Sequence, residues 1–449
     1  MNARAAERDP ASFRDPTGFV YRKNGKLYRA ISQSGRRDFL CWIRSGLAEQ
    51  LLQAEKIVPF QVVEDGGTIE LREIAFVTYP YEWSFGQLRD AALLTLELTE
   101  ASLAHGMILQ DATAFNVTFE NGRPIFMDHG SFRIHHHGEA WMAYRQFVMH
   151  FLAPLLLMRF VDLRCLDLFR VHLDGVPLDL ASRLLPWSSW LRLHPLIHVH
   201  LHARMERKYS AAPETARPPT AKTSGLRALL SELKRYIASL TMPGQKTDWA
   251  DYYTDNNYSF AGFQFKKQEI ARFCRAVAPR TTIDLGANSG VFSQIAAEYS
   301  ERVIAADSDP SSAEALYQLS KTACANIVPC LLDLNNPTPG LGIFNRERRD
   351  FLSRARGDLV LGLALIHHLR ISGWPLDRIV ELFADMTANA AVVEFVPKSD
   401  VQVQRLLRSR SDIYDDWHLK NVKAAFLRRF RTCNVVPIPK SERVLLELC

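Results

Sequence analysis

The run Ile283-Asp284-Leu285-Gly286-Ala287-Asn288-Ser289-Gly290 joins an acidic residue at a strand end to a glycine-bearing turn. Glycine lets the backbone turn sharply there, and it lets a ligand approach with no Cβ in the way. A helix expected from Val291 would offer its positive N-terminal end to that ligand. Asp307 follows about twenty residues later, where a carboxylate can accept hydrogen bonds from ribose hydroxyls. A dinucleotide fingerprint would place glycines at 286, 288 and 291. The chain has Gly286, Asn288 and Val291, so that reading fails at two of three positions. Further on, Asp333, the pair His367-His368 and Glu394 supply acid–base groups, and imidazole titrates near neutral pH.

These residues fall where strands alternate with helices. Strands are expected at Thr282–Leu285, Val303–Ala306, Ile327–Leu331, Leu359–Leu363 and Ala391–Phe395, with helices between them. Such alternation builds a mainly parallel sheet covered on both faces, and ligands bind outside the carboxyl ends of its strands. Every residue named above is expected at such an end.

The segment Asp284 to Gly290 resembles motif I of class I methyltransferases, D-x-G-x-x-x-G, and Asp358 to Leu369 is similar to their motif IV region. The resemblance implies a Rossmann-like seven-stranded domain with S-adenosylmethionine as cofactor. It implies cofactor contacts at Asp284, Gly286, Asn288 and Gly290, Asp307 at the ribose, and Asp333 at the adenine amino group. Tyr252-Tyr253, Lys266-Lys267, Asn335 to Pro339, Glu347-Arg348, Leu365 to His368 and Glu394 to Lys398 resemble a bacterial methyltransferase group that includes rhizobial host-specific nodulation proteins. Nearly the whole chain takes part in that resemblance.

Methyl transfer from a sulfonium is an in-line displacement, so the enzyme chiefly aligns the acceptor and excludes water. A hydroxyl acceptor must also lose a proton. His367 or His368 is the expected base, with Glu394 near the acceptor. A structural alternative has one histidine capping the next helix and the other packed in the core. The acceptor expected is a small molecule or a glycan-like compound, methylated at oxygen.

The first half reads as an α+β domain, strands first and helices after. Asn24-Gly25 and Asn121-Gly122 mark hairpin turns. Ile69 to Tyr79 reads as a strand, Phe85 to His105 as a long helix, and Glu139 to Lys208 as mostly helical. Asp111 precedes Asn116 by five residues, and Asp128 follows twelve further on across the second hairpin. That order resembles the catalytic Asp, the Mg²⁺-binding Asn and the second Mg²⁺-binding Asp of kinases. The pattern departs from the family in three ways. Leu109 stands where the H-R-D histidine would be, no G-x-G-x-x-G loop occurs, and Arg29 is the nearest substitute for the strand lysine. The resemblance therefore implies a degenerate kinase-like domain.

The expected organisation is a kinase-like domain over 1–209, a flexible linker over 210–225 and a methyltransferase domain over 226–449. The linker reads SAAPETARPPTAKTSG, which has few large apolar residues. An amphipathic helix from Leu226 to Leu240 is expected to lead into the second domain.

Composition narrows the remaining classes. The formal net charge is +6 in 449 residues with no long basic run, so no nucleic-acid partner is expected. Seven cysteines with no CxxC pair argue against a disulfide framework or a zinc ribbon and point to a reducing compartment. The apolar run Phe151 to Met158 is far short of the roughly twenty residues a membrane span needs. A cytoplasmic protein is expected. His194, His198 and His202 share a helix face at a metal-ligand spacing, but no H-E-x-x-H or nearby carboxylate set completes a site, so an amphipathic structural helix and no metal site are expected. Two alternatives stay open: an ATP-dependent phosphotransferase acting through the first domain, and a non-catalytic S-adenosylmethionine-binding regulator.

Overall fold

The computed structural model describes residues 7–64, 67–209, 220–244, 259–408 and 414–449. Two compact units divide the chain. The first comprises Met1–Gly244 together with Gly340–Arg349, and the second comprises Gln245–Pro339 and Asp350–Cys449.

In the first unit, strands β1 (Glu7–Arg8), β2 (Gly18–Lys23), β3 (Lys26–Ile31), β4 (Phe60–Glu64) and β5 (Thr68–Leu71) form an antiparallel sheet in the order β1-β2-β3-β5-β4. The turn between β2 and β3 places Asn24 and Gly25 at φ 52° and 78°, as a type I′ hairpin demands. The helices Gln33–Arg44 and Leu47–Gln53 connect β3 to β4. After the long helix Phe85–Ala104, β6 (Met107–Leu109) pairs with β9 (Phe132–Ile134), and β7 (Val117–Glu120) pairs with β8 (Arg123–Phe126). Mostly helical chain follows. The strand expected over Ile69–Tyr79 ends at Leu71. Beyond it, Arg72 pairs with Glu120 and the Thr78 N–H donates to Thr118 Oγ1 at 3.0 Å, so this chain serves the β7–β8 hairpin rather than extending the sheet.

The expected linker falls mainly on residues 210–219, which lie outside the described residues, as do Tyr252 and Tyr253. The helix Thr223–Ser239 was expected to open the second domain, yet it belongs to the first unit. Its apolar stripe, Leu226, Leu230, Leu233 and Ile237, is buried, and it packs on Phe85–Ala104 with Lys234 paired to Glu100 at 2.8 Å. Amphipathicity shows that a helix needs a partner surface and does not say which one. The segment Gly340–Arg349 also serves the first unit: Glu347 accepts from Arg14 Nε at 2.8 Å, and the Arg348 guanidinium lies 4.7 Å from the Phe115 ring centre.

In the second unit, β10 (Thr281–Leu285), β11 (Arg302–Asp307), β12 (Ile327–Leu331), β13 (Gly357–Gly362), β14 (Thr387–Phe395), β15 (Cys433–Pro437) and β16 (Val444–Leu448) form one sheet. Its order is β12-β11-β10-β13-β14-β16-β15. The strands from β10 to β14 run parallel, while β16 is antiparallel to both β14 and β15. The helix Phe260–Val277 packs Ile270, Phe273 and Cys274 into a core with Val303, Leu359, Leu361 and Val392. Strand order reverses between β10 and β13, and a crevice opens at such a switch point.

Candidate active site

The chain leaves β10 through a turn that holds Gly286, Asn288 and Gly290 at φ 70°, 49° and 86°, then enters the helix Val291–Ala297. The N–H groups of Gly286 and Ala287 donate to Ala306 O at 2.9 and 3.1 Å, tying the turn to the end of β11. The Asn288 N–H donates to Asp307 Oδ2 at 2.7 Å, and the Asp309 N–H donates to Oδ1 at 2.9 Å. A Cβ at Gly290 would stand 2.7 Å from Leu316 and 2.9 Å from Leu319. Gly290 therefore admits the neighbouring helix Pro310–Thr322 and does not line the crevice.

That crevice is a cavity of about 490 Å³, within the range of small-molecule sites. Asp284, Gly286, Asn288, Asp307, Asp333 and His368 contribute to its wall, together with apolar surface from Phe263, Phe292, Leu332 and Leu363. Of the residues proposed from sequence for this site, Gly290, His367 and Glu394 are not part of the lining.

Burial pushes the Asp284 carboxyl up to about 7 against the Ser293 hydroxyl, which donates to it at 2.6 Å, and Asp307 adds to the rise. Burial likewise pushes Asp307 up to about 6, opposed by backbone hydrogen bonds from Asp309, Asn288 and Ser308. Two carboxylates that hold protons this readily favour a cation between or beside them. Asp333 is exposed at the rim, and its Oδ1 accepts from the Asn335 N–H at 2.9 Å.

The histidine pair opens the helix Ile366–Ile371 beyond β13. Burial, with nearby Arg443, pushes His368 down to about 4. Burial holds His367 well below its ordinary value, and its neighbour His368 with the cations Arg443 and Lys266 reinforces this. Both rings are neutral at pH 7, and their centres lie 4.1 Å apart. His367 is buried, with no hydrogen-bond partner for Nδ1 among the described residues.

Glu394 does not stand at an acceptor position. It is fully buried in β14, bonded to Lys266 Nζ at 2.6 Å and 3.8 Å from Arg443, which in turn donates to Asp400 at 2.7 Å. Lys266 lines the cavity and lies 4.4 Å from the Phe292 ring centre. Burial lowers its ammonium, with Glu394 acting against that. Sequence reasoning assigned Lys266 no role, although the signal was present: it sits at helical spacing with Ile270, Phe273 and Cys274 on a face otherwise built for a core.

In the first unit, Asp111, Asn116 and Asp128 do come together. The Asp111 carboxyl is pushed up by burial and by Asp128, against hydrogen bonds from Thr113, Gln146 and Asn116. Burial would raise Asp128 too, but Arg29 with Ser131 and the Gly130 N–H hold it below its ordinary value. Arg29 is buried, 2.9 Å from Asp128 and paired on its other side with Asp15. A Cβ at Gly130 would lie 2.2 Å from the Arg29 guanidinium, so glycine here makes room for the cation.

Besides its own Glu206, 3.6 Å from His202, the histidine helix gains a carboxylate from a distant helix. Glu232 pairs with His194 and lies 3.5 Å from His198. Among the described residues, no group of three or more His, Cys, Asp or Glu side chains is arranged to hold a metal. None of the described helices is long and apolar enough to cross a membrane.

A sheet in this order, with a switch-point cavity walled by a glycine turn and a carboxylate at the second strand end, has the architecture of the class I methyltransferase fold. No family model matches the chain. The chain is 34% identical to the nodulation protein NoeA of Rhizobium meliloti (strain 1021), over 97% of this chain and 94% of that protein. It belongs to the NoeA family. Solved structures similar to it include the N-methyltransferase NodS from Bradyrhizobium japonicum WM9, at 12% identity and TM-score 0.32, covering 42% of this chain and 97% of that one. Another is the magnesium protoporphyrin IX methyltransferase ChlM from Synechocystis PCC 6803 with bound S-adenosylhomocysteine, at 14% identity and TM-score 0.32, covering 44% and 91%.

Proposed function

We propose that the second unit transfers a methyl group to a hydroxyl of a small-molecule or glycan-like acceptor, with His368 as the proton acceptor. The observation that carries this is the placement of a neutral imidazole in the same cavity wall as Gly286 and Asp307. In this reading the Gly286–Asn288 turn cradles the cofactor, Asp307 receives its ribose hydroxyls, Asp333 its adenine edge, and Asp284 the cationic end. When bound, the cofactor supplies an electrophilic methyl on a sulfonium. His368 then needs only to lie within hydrogen-bond reach of the acceptor hydroxyl. His367 orients it from behind, and Glu394 positions Lys266.

The test uses the full chain, S-adenosylmethionine labelled in its methyl group, and panels of hydroxylated small molecules and oligosaccharides. His368→Ala is expected to lower turnover about 10²- to 10⁴-fold, the span a positioned general base supplies, with cofactor affinity unchanged. Normal turnover in that variant removes the base assignment, and label on nitrogen removes the oxygen assignment. Cofactor binding without transfer to any acceptor favours the regulator.

A second reading concerns the first unit, because Arg29, the candidate strand cation, pairs with Asp128. We infer a kinase-like core whose phosphate site is closed by its own arginine. Titration of the full chain with Mg-ATP should give no saturable heat, whereas phosphate transfer or hydrolysis would revive the phosphotransferase.

A further inference from the structure

The helix around the histidines is amphipathic, with His198 and His200 on its buried side. Helical backbone runs through Leu193–Pro195, Leu196–Leu201 and His202–Tyr209. The inward face carries His198 and His200 beside the small apolar Pro195, Val199 and Ala203. His198 Nδ1 meets the Tyr144 hydroxyl at 2.6 Å, and His200 lies between the hydroxyls of Ser182 and Ser189, each at 2.8 Å. The outward face carries Leu193, Ile197, Leu201 and Met205, spaced four apart and exposed. The turn before it exposes Trp187 at 76% and Leu191 at 72%.

Hydrogen bonding therefore anchors this helix inward and leaves its aliphatic side without a partner among the described residues. Monomeric proteins rarely expose a contiguous apolar patch of this kind without using it. Charge indicates the occupant. From Arg183 to Arg207 the sequence holds four arginines and one carboxylate. That carboxylate, Glu206, is engaged with Arg145 and His202. Arg192 and Arg204 are exposed beside the stripe and lie against the Phe160 and Trp190 rings. Exposed Trp and Leu flanked by Arg make a surface that lies in a lipid interface, the apolar side chains entering the acyl boundary and the guanidinium groups meeting anionic headgroups.

We propose that this face of the first unit docks the protein reversibly on an anionic bilayer surface. The experiment is co-sedimentation of the full chain with vesicles of phosphatidylcholine, alone or with roughly one-third phosphatidylglycerol. Binding is expected with the anionic vesicles, weakened by salt. Ile197→Gln/Leu201→Gln should bind about ten-fold more weakly, and Arg192→Gln/Arg204→Gln should lose the preference for anionic lipid. Unchanged S-adenosylmethionine binding and circular dichroism in each variant show that the fold survives. No sedimentation, or equal sedimentation with both vesicles, overturns the proposal. So does a light-scattering result in which the native chain is a dimer and Ile197→Gln/Leu201→Gln is a monomer, since the face would then belong to a second copy.

Discussion

The two units each gather buried carboxylates at a glycine-bearing turn, and they treat them in opposite ways. In the first, Arg29 stands between Asp15 and Asp128, and Asp128 also takes bonds from Ser131 and the Gly130 N–H. The charge is balanced from within. In the second, Asp284 is buried against a hydroxyl donor and Asp307 is half-buried with backbone donors, and both are pushed up, to about 7 and about 6. Lys266, bonded to Glu394, is the cation that acts on Asp284, and it only partly offsets burial; the cluster borders a cavity. A closed cluster contributes to the fold, whereas an open one costs stability until a ligand arrives, which is where shifted carboxylates usually mark function.

Breaking the closed cluster should have the largest effect. Arg29→Met leaves Asp15 and Asp128, both partly buried, without their cation, and removing one partner of a buried pair costs up to about 3–5 kcal/mol. Urea unfolding followed by tryptophan fluorescence should show a loss of that size for the first unit, while S-adenosylmethionine affinity stays as in the native chain. A loss below about 1 kcal/mol would mean that Arg29 is not the balancing charge.

The open cluster should respond through binding. Asp307→Ala removes the carboxylate expected to hold both ribose hydroxyls, and charge-assisted hydrogen bonds contribute about 1.5–3 kcal/mol each. Titration calorimetry should show affinity falling roughly 100-fold, close to 2.7 kcal/mol. Asp128→Asn should leave it unchanged. Equal effects from the two substitutions would erase the distinction between the clusters.

How much of this was legible in the sequence depends on the range of the interaction. The glycine turn, the strands from β10 to β14 and the placement of Asp284, Asp307 and His368 follow from local spacing, because a βα unit fixes its strand end within a few residues. Lys266 and Glu394 are 128 residues apart, and no local pattern announces their 2.6 Å bond. The same applies to Glu232 reaching His194 and to the docking of Thr223–Ser239 on Phe85–Ala104. The helix at His194 shows a different limit: hydrophobic periodicity gives the presence of an apolar face and not its direction. Here serine and tyrosine hydroxyls satisfy the histidines inside, which frees the aliphatic face to point outward.

The smallest expected effect, and the one that compares the clusters most directly, is their dependence on pH. Asp284 and Asp307 have raised values in the ligand-free protein. A cationic cofactor favours their charged forms, so binding should release protons and weaken as pH falls through about 7 to 6. Between pH 8 and 5.5 Asp284 alone should cost roughly 30-fold, since one linked proton gives ten-fold per pH unit below its midpoint. His368, neutral down to about 4, contributes nothing in that window. Stability carries the complementary sign. A raised carboxyl contributes stability below its unfolded value that is lost as pH rises through the folded one. Acidifying from pH 8 to 5.5 should therefore lift the ligand-free Tm of the second unit, and saturating cofactor should abolish the lift. Asp128, held low by Arg29, behaves the other way: its contribution is present above the ordinary carboxylate range and is lost as pH falls through its depressed value. Calorimetric scans at the two pH values, with and without S-adenosylmethionine, read both signs at once. A second-unit Tm that falls on mild acidification would show that the carboxylates of the cavity are already balanced, and the contrast between the units would fail.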